Sequence, residues 1–195
     1  MKTNPMIAPL KQVHYIKLSL LDSSVAALLT MALASPAEAD DTNTATGAGA
    51  LTSNTTGVNN TADGFHALFS NTTGVVNTAT GADALASNTT GGFNTADGFH
   101  ALFSNTTGFS NIATGTDALP SNTTGGLNTA NGNAALFSNT TGFSNTANGQ
   151  SALRFNTTGN DNTANGVNAL QSNTTGNANT ANGRSALAFN TTGGF

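Results

Sequence analysis

The stretch Asn94-Thr95-Ala96-Asp97-Gly98-Phe99-His100-Ala101-Leu102-Phe103-Ser104-Asn105-Thr106-Thr107-Gly108-Phe109-Ser110 sets the architecture, because the chain on either side repeats its 17-residue pattern. Units begin at Asn43, Asn60, Asn77, Asn94, Asn111, Asn128, Asn145, Asn162 and Asn179, giving nine consecutive units without insertion or deletion. With the Asn as position 1, every unit has Ala at 3, Gly at 5, Ala-Leu at 8 and 9, and Asn-Thr-Thr-Gly at 12 to 15. Position 2 is Thr except at Ile112. Identity between units of one chain reports a structural environment they share.

An unbroken period with Gly at two fixed places predicts one coil per unit, built from two short strands and two turns. Gly supplies turn dihedrals that other residues adopt only at a cost. Stacked coils bond to each other as parallel strands about 4.8 Å apart, so nine coils make a rod on the order of 43 Å long. A helical repeat fits poorly, since the Gly, Thr and Asn of every unit are weak helix formers. The fold class expected is all-β, a parallel β-solenoid or β-roll of nine 17-residue coils over 43–195.

Only small residues fit inside such a coil. The columns Ala45 to Ala181 and Leu51 to Leu187, with the inward member of each Thr pair, are the expected fillers. Burying one Leu stabilises by roughly 1.5–3 kcal/mol, while ordering each backbone residue costs on the order of 1–2 kcal/mol. So thin a core points to further burial between chains. Positions 16 and 17 offer a surface for it, with Val58, Val75-Val76, Phe93, Phe109, Leu127 and Phe143 in six consecutive coils. The stripe lapses at Asn160-Asp161 and Asn177-Ala178 and returns at Phe195. It is either an association surface or a corner folded inward. A 34-residue super-repeat also places Phe65, Phe69, Phe99 and Phe103 in alternate coils, with Ala48, Ala82 and Ala86 between them.

Charged residues make up only 7% of the chain, against roughly a quarter in ordinary globular domains. The basic residues Lys2, Lys11, Lys17, Arg154 and Arg184 form no patch, which argues against a nucleic-acid partner. Absence of Cys removes disulfides and thiolate metal sites. The first 39 residues hold every Lys and Met and contain an apolar run, Val25 to Ala34. Ser35-Pro36-Ala37-Glu38-Ala39 follows, and Ala37 and Ala39 fit small-x-small cleavage with Asp40 as the new terminus. The organisation expected is a signal peptide at 1–39, a lead-in at 40–42 and the solenoid at 43–195, secreted or at the cell surface.

Position 7 reads Gly49, His66, Asp83, His100, Asp117, Ala134, which sets His and Asp alternately about 4.8 Å apart on one face. The functional readings of this line are a metal-binding ladder or a pH-sensitive surface. The plainer role is a modestly stabilising ladder, because His66 and His100 lie about 9.6 Å apart, too far to share one metal ion. No cofactor site is expected. No nucleophile–base–orienter set exists, and Ser at position 11 recurs in seven units, as scaffold positions do. A non-enzymatic chain without a small-molecule substrate is the expectation. The Asn-Thr-Thr triplets from Asn54 to Asn190 are formal glycosylation sequons, yet an invariant Asn near an invariant Gly fits an intercoil amide ladder better. Thr ranks on a flat solenoid face also suit ice binding, with Thr55 to Thr191 or Thr56 to Thr192 as the outward column. A structural matrix or filament role is a further alternative.

The pieces Asn94-Thr95-Ala96-Asp97-Gly98 and Asn105-Thr106-Thr107-Gly108 resemble the head repeats of trimeric autotransporter adhesins, the YadA-like or Hep/Hag class. The resemblance covers all nine units. It implies a left-handed β-roll, a homotrimer with chains side by side, and cell adhesion to host matrix or cell-surface ligands. Outer-membrane association follows if an anchor lies beyond these residues. Thr, Asp or Asn precedes the first Gly of the unit (Thr46, Asp63, Asn131) where that class favours Ile.

Overall fold

Each unit contributes one three-residue strand at positions 2 to 4 in the computed structural model, which describes residues 42–194. The expected signal peptide, its cleavage after Ala39, residues 40 and 41 of the lead-in, and Phe195 lie outside the described residues. The strands are β1 (Thr44–Thr46), β2 (Thr61–Asp63), β3 (Thr78–Thr80), β4 (Thr95–Asp97), β5 (Ile112–Thr114), β6 (Thr129–Asn131), β7 (Thr146–Asn148), β8 (Thr163–Asn165) and β9 (Thr180–Asn182). They stand in chain order in one nine-stranded sheet. Every pairing is parallel and offset by one unit, as where Thr95, Ala96 and Asp97 face Ile112, Ala113 and Thr114. Parallel neighbours need a crossover of a dozen or more residues, which the rest of each unit supplies. The protein is therefore an all-β parallel solenoid that closes one lap every 17 residues.

From β2 to β9, alternation turns Ala at position 3 inward and positions 2 and 4 outward, the pattern of a sheet with one wet face, while Ala45 in the end strand β1 is exposed. The interior holds that Ala column, the Ala of position 8 and the Leu of position 9, with Leu68 through Leu170 at 0% exposure. Two Asn columns lie equally deep. At position 1, the Asn77 backbone N–H donates to Asn60 Oδ1 at 3.0 Å. Asn77 Nδ2 donates to the same oxygen at 3.1 Å and to Gly91 O at 2.9 Å. At position 12, Asn88 Nδ2 donates to Asn71 Oδ1 at 2.8 Å and also to Gly91 O at 2.9 Å. The two amide ladders converge on one carbonyl per coil. Buried amides are tolerated because their bonds are made, and each such bond nets about 1 kcal/mol.

The expected inward Thr is corrected. The backbone N–H groups of Thr72, Thr73 and Gly74 all point at Thr89 O, at 2.9, 3.1 and 3.3 Å. This curl turns both threonines of the pair outward. Thr72 is half-buried and its hydroxyl donates to Thr89 O at 2.9 Å, while Thr73 is exposed. Asn takes the inward place that Thr was expected to fill.

The second strand of each coil is also corrected, for among the described residues each coil has one. Positions 9 and 11 do bond to the next coil, as where Leu68 N–H donates to Ala84 O at 3.0 Å and Ser70 N–H to Ala86 O at 2.9 Å. But every Leu of position 9 has φ between 49° and 54°, in the left-handed region. Turns close on both sides of it: Ala67 N–H reaches Gly64 O at 3.3 Å and Asn71 N–H reaches Leu68 O at 3.1 Å. Positions 7 and 17 share this conformation. Left-handed backbone costs non-Gly residues on the order of 1–2 kcal/mol each, which complete burial offsets for Leu68 through Leu170, while Leu187 in the end coil is half exposed.

The two invariant glycines serve different ends. Gly at position 5 has φ between 108° and 143°, a true dihedral requirement. Gly at position 15 has no such φ. A Cβ on Gly125 would stand 2.5 Å from Gly142 O, so close coil-to-coil approach excludes any side chain there.

Candidate functional site

Three outward zones carry whatever chemistry the solenoid offers. On the first, the His–Asp alternation at position 7 forms one continuous line. His66 Nδ1 lies 3.4 Å from Asp83 Oδ1. His100 Nε2 lies 3.7 Å from Asp83 Oδ2, and its Nδ1 lies 3.4 Å from Asp117 Oδ1. The super-repeat places Phe on both sides of each ring. Phe99 stacks on His100 and Phe65 lies tilted on His66, each at 3.7 Å between centroids, while Phe69 and Phe103 tilt against the same rings at 4.8 and 5.0 Å. The small residues of the intervening coil make room, with Ala86 at position 10 nearly buried beside exposed Phe69 and Phe103. Among the described residues no three His, Cys, Asp or Glu side chains converge to hold a metal ion.

The ladder's side chains are a quarter to two-fifths exposed, where ion pairs contribute about 0–1 kcal/mol. His100→Asn removes two contacts and an aromatic stack but places at φ 57° a residue that tolerates left-handed backbone. The expected change in unfolding free energy by urea titration is therefore within about 1 kcal/mol. A loss of about 3 kcal/mol or more would make the ladder a main strut of the fold, contrary to this account.

The second zone is the stripe at positions 16 and 17, and it faces solvent. Phe93 is 61% exposed and Leu127 54%, with Val76, Phe109 and Phe143 also exposed. Of the two readings of this stripe, the inward-folded corner is thereby corrected: the buried wall behind it is already filled by the two Asn columns. Large and small residues alternate. Phe109 and Phe143 lean together across Gly126, with centroids 6.1 Å apart, and a Cβ on Gly126 would touch both rings at 3.0 Å. Where the stripe lapses, Asn160 and Asn177 take over. Asn160 Oδ1 accepts the Phe143 N–H and Asn177 Oδ1 accepts the Asn160 N–H, each at 2.7 Å.

The third zone is the outer face of the sheet, where positions 2 and 4 form two parallel columns. The first is Thr in every strand but β5, and the second is Thr, Asp or Asn. Sequence reasoning passed over these columns, although the polar–Ala–polar alternation around position 3 signals them. The columns it named for a Thr rank behave otherwise. Hydroxyls of the position 13 column are spent on backbone carbonyls, as Thr89 Oγ1 on Thr106 O at 3.0 Å. That leaves position 14 a single exposed column. The sequon column is interior: Asn71, Asn88, Asn105, Asn122, Asn139, Asn156 and Asn173 are 0% exposed. A glycan needs an outward amide, so those residues serve as the amide ladder. Separately, the Arg154 guanidinium carbon lies 5.6 Å from the Phe137 ring centroid and 5.4 Å from that of Phe155.

Neither a protein-family model, nor a curated protein, nor a solved structure matches the chain.

Proposed function

We propose that the chain is a non-enzymatic, exported attachment rod whose copies associate side by side through the position 16 and 17 stripe. The observation carrying this reading is that stripe: apolar side chains on consecutive coils, with Phe93 and Leu127 more than half exposed. Large apolar patches on soluble proteins usually mark association surfaces. A second copy suits it because the large–small alternation repeats every two coils and so offers knobs and gaps at one spacing. Three copies is the number implied by the resemblance to trimeric adhesin heads. The faces left outside the assembly then meet matrix or cell-surface ligands, at the cell surface or in the secreted state.

Light scattering on the full chain tests the association. The expected mass is three times the 19.4 kDa of one chain, falling to one when Phe93→Ser and Leu127→Ser are combined. A strictly monomeric wild-type chain would remove lateral association. Attachment is tested by retention on immobilised matrix proteins and on cells, with absence of binding across both counting against it.

A further inference from the structure

We propose that the outer face of the sheet is a water-ordering plate that binds ice. This inference is independent of the stripe and of association. It rests on strands β6 to β9, whose sequences all read Thr-Ala-Asn. Ala points into the core and the flanking Thr and Asn point out, so the face repeats one pattern of groups from strand to strand. Parallel, in-register pairing fixes the repeat at about 4.8 Å across strands, and the strand rise sets the two columns about 6.7 Å apart. Each strand of this sheet pairs with the next at an offset of one unit, with Thr129 opposite Thr146 and Asn131 opposite Asn148.

Three features point to ordered water as the occupant. First, the amides are held at fixed orientation: Asn131 Nδ2 donates to Asn148 Oδ1 at 2.9 Å, and Asn148 Nδ2 donates to Asn165 Oδ1 at 2.8 Å. Each amide keeps a second N–H and a lone pair for solvent. Second, the hydroxyls at position 2 are not spent on the backbone, in contrast to those of position 13, for which the intercoil bonds are made. Third, β5 to β9 present no charged residue, and Asp63 and Asp97 are the charges on the rest of the sheet. A discrete protein partner is anchored by Trp, Tyr or Arg in most interfaces, and this face has none. What the plate does offer is a two-dimensional lattice of hydroxyls and amides, with Thr methyls between them that restrict the waters' orientations. The solid whose surface repeats oxygens at comparable intervals in two directions is ice. Support comes from beneath, where Ala130, Ala147 and Ala164 are fully buried and Ala181 nearly so.

Thermal hysteresis and inhibition of ice recrystallisation, measured on the full chain, test the plate. The wild type is expected to show both and to shape growing crystals. Thr146→Tyr with Thr163→Tyr, which breaks the lattice, is expected to lose most of the activity. Thr107→Tyr, at exposed position 14, is expected to keep it. Circular dichroism and thermal melting establish that each variant retains the fold. Should the double variant misfold, Asn131→Lys places a charge on the plate at an exposed residue and carries the same expected loss. No hysteresis and no recrystallisation inhibition in the wild type would overturn the proposal. So would full activity in a folded face variant, or loss in the position 14 control equal to that in the face variant. If the face instead joins two copies, ultracentrifugation shows face variants shifting mass with no ice activity in any form, which also overturns it.

Discussion

Gly98→Ala is expected to cost about 4 kcal/mol or more, enough to unfold a marginally stable chain, with urea or thermal denaturation as the readout. Two penalties coincide there. The φ of 138° lies where side-chain-bearing residues rarely go, and a Cβ would stand 2.6 Å from Gly115 O and 2.7 Å from its carbon. Retreat is blocked, because Gly98 N–H is pinned to Thr80 O at 2.8 Å in the preceding coil. Gly183→Ala separates the two penalties. Its φ is 117°, and among the described residues nothing lies within 4 Å of the added carbon. Only the dihedral cost of roughly 1–3 kcal/mol applies. The difference between the variants therefore reads the closeness of stacking directly. Equal costs would mean that coils do not approach as described.

Asn111→Asp is expected to be nearly as damaging, at about 3–5 kcal/mol near neutral pH, although the two side chains have the same shape. Asn111 Nδ2 donates to Asn94 Oδ1 at 3.1 Å and to Gly125 O at 2.9 Å. A carboxylate turns both contacts into oxygen facing oxygen and buries an unpaired charge in a residue that is 0% exposed. Its Oδ1 still accepts from Asn128, so half of the site survives. The pH dependence has a definite sign. Burial raises the new carboxyl's folded pKa above its unfolded value near 3.9, so the deficit is full above the raised pKa. It shrinks as pH falls through that value, because protonation removes the charge and restores one donor. Asn182→Asp is the control. Asn182 is exposed and only accepts from Asn165 Nδ2, at 2.8 Å, so its expected cost is within about 0.5 kcal/mol.

Period and invariance made the solenoid legible before any coordinates, and so they did the Leu column and the His66–Asp83–His100–Asp117 line. Those features need only the rule that equivalent positions stack. What was not legible depends on the path between strands. The alternation rule, applied to Thr72-Thr73, assumes an extended backbone, whereas three N–H groups there gather on one carbonyl. Asn as interior filler runs against its usual exposure, and becomes intelligible only with the Gly91 carbonyl that both Asn columns satisfy. Likewise, Leu at a left-handed φ carries no local signal, since Leu is chosen for burial and the coil's closure dictates its backbone. The outer sheet columns were readable in principle from polar–Ala–polar triplets, but the conspicuous Asn-Thr-Thr motif drew the Thr reading elsewhere. Of the stripe at positions 16 and 17, composition gave the residues but not the side on which they lie.

Each unit advances the solenoid by one strand spacing, in register with the unit before it. The chain has no Cys, so pairs of introduced cysteines carry spin labels at known places only. Position 14 is exposed throughout, and Thr73→Cys can be paired with Thr141→Cys, four coils on, or with Thr175→Cys, six coils on. Electron paramagnetic resonance on dilute chains, mixed with unlabelled protein to suppress contacts between copies, should give narrow distance distributions. Their maxima should differ by about 10 Å, two strand spacings. Broad distributions, or a separation that does not grow with the number of coils between the labels, would contradict the account.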